Sequence, residues 1–173
     1  MIVDDPRSHF IFVYHPQIFQ GKKYTVRQGR ELTNREVLDY WGKWLVFGAK
    51  DRLDELAKAL DPYVEAEKIP VIKYDRAPSK NLGIEECVFM VYCDYRDRDE
   101  VWKILTEHGV KLKAWVTERE TMELWKPGGP LLERWLESQN MNKVTKFLIR
   151  EDAGARLRYI HEHPDEAFNP WQQ

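Results

Sequence analysis

Seven tryptophans in 173 residues are an unusual density of flat aromatic surface, and cations stand beside several of them. An indole flanked by a lysine or arginine can stack on a base, a nucleotide or a quaternary ammonium. Trp102 and Trp135 fall at helical core spacing and read as packing. Trp41, Trp44, Trp115 and Trp125 fall near strand ends or turns, where a ring can meet a ligand. Basic residues gather in the same stretches: Lys73, Arg76 and Lys80 in one, Lys111, Lys113 and Arg119 in another. The candidate ligand-binding set is therefore Trp44, Lys73, Arg76, Lys80, Lys111, Lys113, Trp115, Arg119 and Trp125. Together they could form an anion-binding floor. Asp75, Glu118, Glu120 and Glu123 lie in the same segments and would offset that charge. On that alternative the set is a solvated surface of mixed sign, and the tryptophans fill the core.

Other chemistries find less support. His161 and His163 are two residues apart, whereas helical metal-binding histidines sit at i, i+4. No metal and no cofactor is expected. His9 and His15 flank one apolar segment on the same parity, an arrangement that names no mechanism. The serines are Ser8, Ser79 and Ser138, and nothing in the sequence supplies a base for any of them. There is no glycine-rich phosphate loop, nucleophile elbow or C-x-x-C. Catalytic residues stay unassigned. Cys87 and Cys93, on one extended strand, would lie about 20 Å apart at roughly 3.3 Å per residue. A disulfide is excluded at that span, and the pair reads as reduced core thiols.

The composition, 43% hydrophobic and 32% charged, is that of a globular chain. A net charge of -2 gives no global field toward nucleic acid or membrane, so any such binding rests on a local patch. The longest apolar run, Cys87 to Cys93, is far too short to span a bilayer. The opening Met1-Ile2-Val3-Asp4-Asp5-Pro6 lacks the cationic-then-apolar order of a secretory signal. A cytoplasmic protein of one domain, residues 1–173, is the expectation.

The elements that must position the candidates revolve around an internal repeat. Residues 44–60 fall on 89–105 without a gap, so that Trp44-Leu45-Val46-Phe47 matches Phe89-Met90-Val91-Tyr92. Asp54, Glu55, Lys58 and Leu60 match Asp99, Glu100, Lys103 and Leu105. Each copy reads as strand-helix-strand, about 43–76 and 87–119. The first has strand 43–47, helix 51–67 and strand 70–74; the second has strand 86–93, helix 97–108 and strand 110–117. On the last strand, Val110, Leu112, Ala114 and Val116 form a core face, with Lys111, Lys113, Trp115 and Thr117 turned away. Ahead of the repeat come a strand at 10–14, a short strand at 24–27 and a helix opened by the capping box Thr33-Asn34-Arg35-Glu36. That helix should run through Val37, Leu38 and Trp41 and stop at Gly42. After the break Trp125-Lys126-Pro127-Gly128-Gly129-Pro130 a helical segment spans about 130–165. Its long helix, about 142–163, would turn Val144, Phe147, Leu148, Leu157, Tyr159 and Ile160 to the body. Phe168 to Gln173 would follow as a docked or frayed tail.

These patterns predict an α+β fold: one curved, mostly antiparallel sheet with helices on one face. The opposite face would be aromatic and basic. Gly42-Lys43-Trp44-Leu45-Val46-Phe47, Cys87-Val88-Phe89-Met90-Val91-Tyr92-Cys93-Asp94-Tyr95 and Gly109-Val110-Lys111-Leu112-Lys113 resemble the basophilic-leukaemia-expressed family of unknown function. That resemblance implies the fold of the cap-binding translation initiation factor, in which two tryptophans sandwich a methylated guanine. The cap-binding residues have no counterparts here that can be matched one by one. A ferredoxin-like βαββαβ core is the alternative architecture. The leading functional expectation is a non-catalytic module binding a nucleotide, RNA or another anionic aromatic ligand. The alternatives are a protein-interaction or self-associating subunit, then an enzyme with unassigned acid-base residues.

Overall fold

The computed structural model describes residues 1–171. Among the described residues are eight strands and six α-helices. Strands β1 (Ile2–Val3), β2 (Phe10–Val13), β3 (Val26–Arg27) and β4 (Arg30–Glu31) precede α1 (Asn34–Tyr40) and β5 (Trp41–Gly48). Then come α2 (Lys50–Glu65), β6 (Val71–Asp75), β7 (Cys87–Asp94), α3 (Arg98–Glu107) and β8 (Trp115–Thr117). The chain continues through α4 (Glu118–Leu124), α5 (Pro130–Ser138) and α6 (Lys143–Glu162). Gln172 and Gln173, the end of the expected tail, lie outside the described residues.

Six strands form one antiparallel sheet in the order β1-β2-β6-β7-β5-β8, so the fold is α+β. The repeat supplies four of them as β5-α2-β6 and β7-α3-β8. Within the sheet β7 lies between β5 and β6, and β5 lies between β7 and β8. This interleaving is the split βαβ arrangement of ferredoxin-like cores. The register carries the repeat further. Trp44 pairs with Val91 and Val46 with Phe89, and a shift of 45 positions exchanges the two pairs. The copies are therefore related by a local twofold passing between β5 and β7.

One face of the sheet is closed by α2 and α3. Leu53, Leu56, Ala57, Leu60 and Val64 of α2, with Val101 and Leu105 of α3, pack on Ile11, Val13, Trp44, Val46, Ile72, Tyr74, Phe89 and Val91. Full burial of each such aliphatic or aromatic side chain contributes about 1.5–3 kcal/mol, so this layer carries the fold. The second face is covered at one end only. There Val37 and Leu38 of α1, Ile160 of α6 and Phe168 close over Trp41 and Val71, with Tyr92 and Met122 packed alongside.

Three local expectations are corrected. Helix α1 has its capping box, with Thr33 and Glu36 exchanging hydrogen bonds, but Trp41 does not continue it. Trp41 instead opens β5 by pairing with Asp94, and Gly42 is a strand residue. The strand at 110–117 survives only as Trp115–Thr117, and its parity is inverted. Val110 is buried in the main core, Leu112 is exposed and Trp115 packs toward the helices. Residues 111–114 lie outside any strand, with Ala114 accepting from the Leu45 N–H, so no ladder enforces a two-residue period before Trp115. Helix α4, absent from the expectation, follows at once behind a second capping box formed by Thr117 and Glu120. Finally, Val144, Phe147, Leu148 and Tyr159 of α6 are 67%, 56%, 60% and 45% exposed instead of facing the body.

Candidate ligand site on the second sheet face

Alternate cross-strand rows show how differently the two faces are treated. Val13, Ile72, Val91 and Trp44 are successive partners across β2, β6, β7 and β5, and all are at most 1% exposed. The next row, Phe12, Lys73, Met90 and Leu45, points the other way and stays partly exposed throughout. A lysine in an apolar strand row is costly unless something uses its charge.

Lys73 is bordered by an aromatic ladder along β2. Phe10 and Phe12 ring centroids are 6.4 Å apart, Phe12 stacks on Tyr14 at 5.0 Å, and Tyr14 on Tyr24 at 6.2 Å. Strand geometry makes the ladder, since residues two apart share a face. The Lys73 ammonium lies 3.8 Å from the Phe10 ring centroid. Among the described residues it has no hydrogen-bond or carboxylate partner. Burial, then the nearby Lys43 charge, lowers its pKa to about 8. Lys43 itself is only 6% exposed and has a partner: its Nζ is 3.4 Å from Oε2 of Glu118, 7% exposed, at the first position of α4. Burial also raises the phenols of Tyr14, Tyr24 and Tyr92, so all three remain neutral at physiological pH. The Tyr14–Tyr24 end of the ladder is closed by the edge of Trp171, 6.4 and 5.5 Å away, which leaves Phe10, Phe12 and Lys73 as a partly exposed surface with one cation that has no ion-pair partner among the described residues.

Comparison with known proteins adds nothing to this geometry. No family model, curated protein or solved structure matches the chain.

Of the nine residues singled out from the sequence, Lys73 alone lies in this site. Trp44 is removed from the set, because it is sealed in the core with Nε1 donating to the Arg98 carbonyl at 3.0 Å. Trp115 joins it on the helix-covered face, 5.1 Å away between centroids. Its ring lies over Gly42, where a Cβ would overlap the indole and sit 2.8 Å from the Val116 carbonyl oxygen. Lys113 reaches the same cluster, its ammonium 5.7 Å from the Trp102 ring centroid and 5.9 Å from that of Trp44. Lys111 borders a different cavity of about 470 Å³ with Phe47, Arg52 and Leu112. Arg76 ties down the N-terminal segment through the Ser8 and Asp5 carbonyls and the Asp4 carboxylate. Arg119 joins α4 to α1 through the Leu38 carbonyl and Asp39. Lys80 is exposed on the turn at 80–82, and Trp125 is half-buried at the end of α4. The expected floor is dispersed because β8 turns its tryptophan inward.

The residues that sequence reasoning passed over are Phe10, Phe12, Tyr14 and Lys43, and Glu118 entered it only as a charge offsetting the basic cluster. A signal existed for the first three, because Phe10, Phe12 and Tyr14 share one parity of a single strand. Lys43 was legible as a lone charge within an apolar strand. Its pairing with Glu118 spans 75 positions and had no local signal.

Two further clusters resolve into structural roles. Ser79 Oγ lies 3.4 Å from His9 Nε2, and Asp75 Oδ1 lies 3.9 Å from the same nitrogen. A relay needs the serine and the carboxylate on opposite ring nitrogens, so no base-and-orienter pair is present. A groove of about 650 Å³ runs between α3, the end of α2 and the β3–β4 turn. Of its carboxylates, Asp97 is engaged by Arg27, Asp94 by Arg96 and Glu67 by Lys22, while Glu100 and Glu107 have no ion-pair partner among the described residues. Among the described residues, no group of His, Cys, Asp and Glu could hold a metal ion, and no helix is long and apolar enough to cross a membrane.

Proposed function

We propose that the chain is a binding module for a small anionic ligand with an aromatic or apolar body, seated on the second face of the sheet. The ligand's ring would stack along Phe10, Phe12 and Tyr14, and its anionic group would pair with Lys73. The observation that carries this reading is the unpaired Lys73 ammonium, 3.8 Å from the Phe10 ring centroid and beside a partly exposed aromatic ladder. Nucleoside monophosphates head the ligand class. They combine the two features the site offers, and the resemblance to a cap-binding fold points the same way. The free, buried thiols of Cys87 and Cys93 support a reducing, cytoplasmic setting.

The test is a titration of the full chain with guanosine and adenosine monophosphates and with terephthalate, followed by amide and aromatic NMR shifts. Shifts should centre on Phe10, Phe12, Tyr14 and Lys73, and Lys73→Met should weaken binding at least tenfold. Lys111→Ala and Lys113→Ala should change nothing. Because the Lys73 pKa is lowered to about 8, affinity should fall as pH rises through that value. Binding that ignores Lys73→Met, or shifts confined to Lys111 and Lys113, sinks the reading.

A protein-interaction role is the second reading, favoured by the outward apolar stripe Val144, Phe147 and Leu148 on α6.

A further inference from the structure

We propose that Lys73 is a nucleophilic amine that condenses reversibly with the aldehyde or keto group of a ligand held on the Phe10–Phe12–Tyr14 ladder. The inference rests on the same sheet-face site and narrows its ligands to carbonyl-bearing anions.

Four features of the site lead there. First, several lysines lack an ion pair, but Lys73 is the one set in an apolar row of the sheet face, and the other strongly shielded lysine, Lys43, is held by a carboxylate. Lys73 has none among the described residues. Second, Lys73 is partly exposed on the second sheet face, in a row whose members Phe12, Met90 and Leu45 are partly exposed as well. Third, its surroundings are apolar: the Phe10 ring, with Phe12 and Met90 as cross-strand partners. Fourth, a second ammonium, Lys43, stands nearby on the same face. An amine that is desolvated and beside another cation is activated as a nucleophile. The charged and titratable groups around it are Asp75 on its own strand, Lys43 on β5, Glu118 on α4, Tyr92 on β7 and Tyr14 on β2. Burial and Lys43 lower the Lys73 pKa while Glu118 and Asp75 partly restore it, and the balance is about 8. At pH 7.5 roughly a quarter of the side chain is then free base, against about 0.1% for an ordinary lysine near 10.4.

The chemistry balances without a redox partner. The amine lone pair attacks the carbonyl carbon, the C=O π pair moves to oxygen, and a proton passes from nitrogen to that oxygen to give a carbinolamine. The nitrogen lone pair then closes a C=N bond as the hydroxyl leaves with a proton, as water. The products are one imine and one water, and hydrolysis reverses the step. The neutral ladder rings would hold the ligand body.

The experiment uses 4-carboxybenzaldehyde, an anionic aromatic aldehyde, with the full chain at pH 7.5. Sodium borohydride reduces any imine to a stable secondary amine, and peptide mapping locates it. A less basic amine is also a weaker nucleophile, so the expected excess of labelling at Lys73 over Lys111 and Lys113 is about tenfold. Lys73→Arg, which keeps the charge but cannot form the imine, should erase that excess while circular dichroism stays unchanged. Terephthalate, which has no aldehyde, should compete. Even labelling across the lysines overturns the inference. Terephthalate shifts centred on Lys73 without preferential reduction there overturn it too, and leave the anion-binding function standing. Preferential labelling that terephthalate cannot reduce supports the reactive amine and counts against the anion site.

Discussion

Removing the charge at Lys73 should strengthen the fold while weakening the ligand binding proposed above. A lysine whose pKa falls from 10.5 to about 8 is destabilising when charged, by on the order of 3 kcal/mol. The sign follows from linkage: between pH 8 and 10.5 the unfolded chain binds more protons, so native stability rises with pH across that window. Below pH 8 the penalty is present in full. Lys73→Met keeps the length and apolar stem of the side chain without the charge. It should raise the midpoint of urea unfolding at pH 7 and flatten the rise in stability between pH 8 and 10.5. A variant less stable than the parent at pH 7 contradicts the account of Lys73 as an uncompensated charge. Stability given up at a binding position is a common trade in functional sites.

Among the elements, α5 and α6 are joined by Glu133 and Arg150, whose fork bonds run from 2.7 to 3.2 Å. The Arg150 bonds first, and then the Gly128 N–H, hold the Glu133 carboxyl down at about 2. A depressed carboxylate contributes above its unfolded value and loses that contribution as pH falls toward 2. Hydrogen exchange at the α6 amides near Arg150 should therefore quicken as pH drops from about 4.5 to 2, once corrected for intrinsic rates. Glu133→Gln should show the fast rate already at neutral pH; unchanged protection would assign α6 docking to Ile160 and its neighbours instead. The elements themselves were largely legible. Capping at Thr33, the apolar periodicity of α2, and the matched positions Leu60 and Leu105, both fully buried, all fold as the pattern indicates. Helix α4 had the same kind of signal in Thr117-Glu118-Arg119-Glu120, hidden because 110–117 looked like an uninterrupted strand. What the pattern could not reveal was which face β8 presents. Periodicity assigns a face only where a ladder holds the chain, and residues 111–114 have none.

At the scale of the molecule, the two ends of the repeat are treated differently. The outer edge of β6 is occupied by β2, whereas β8, its counterpart in the second copy, is the sheet's last strand and only three residues long. The capping box spends the Thr117 N–H on Glu120, which shortens the bare edge and guards against pairing with other chains. The stripe of Val144, Phe147 and Leu148 has no such protection. Replacing all three with Glu, Lys and Gln should leave the unfolding midpoint nearly unchanged, because surface positions of this kind contribute within about 0.5 kcal/mol each. The triple variant should lose any self-association or partner capture seen for the parent by sedimentation. A large drop in stability would show that the stripe is packed in solution. The interleaved sheet also governs how the chain can be made. Both neighbours of β5, β7 and β8, are synthesised after it, so its buried row of Trp44 and Val46 emerges with no strand to join. β5 ends at Gly48 and β7 at Asp94, and at ~5–20 residues per second the wait is roughly 2–9 s. During that interval the nascent first copy carries an unpaired apolar strand that only its own duplicate can complete, which makes early translation its period of greatest exposure to chaperones and misassembly.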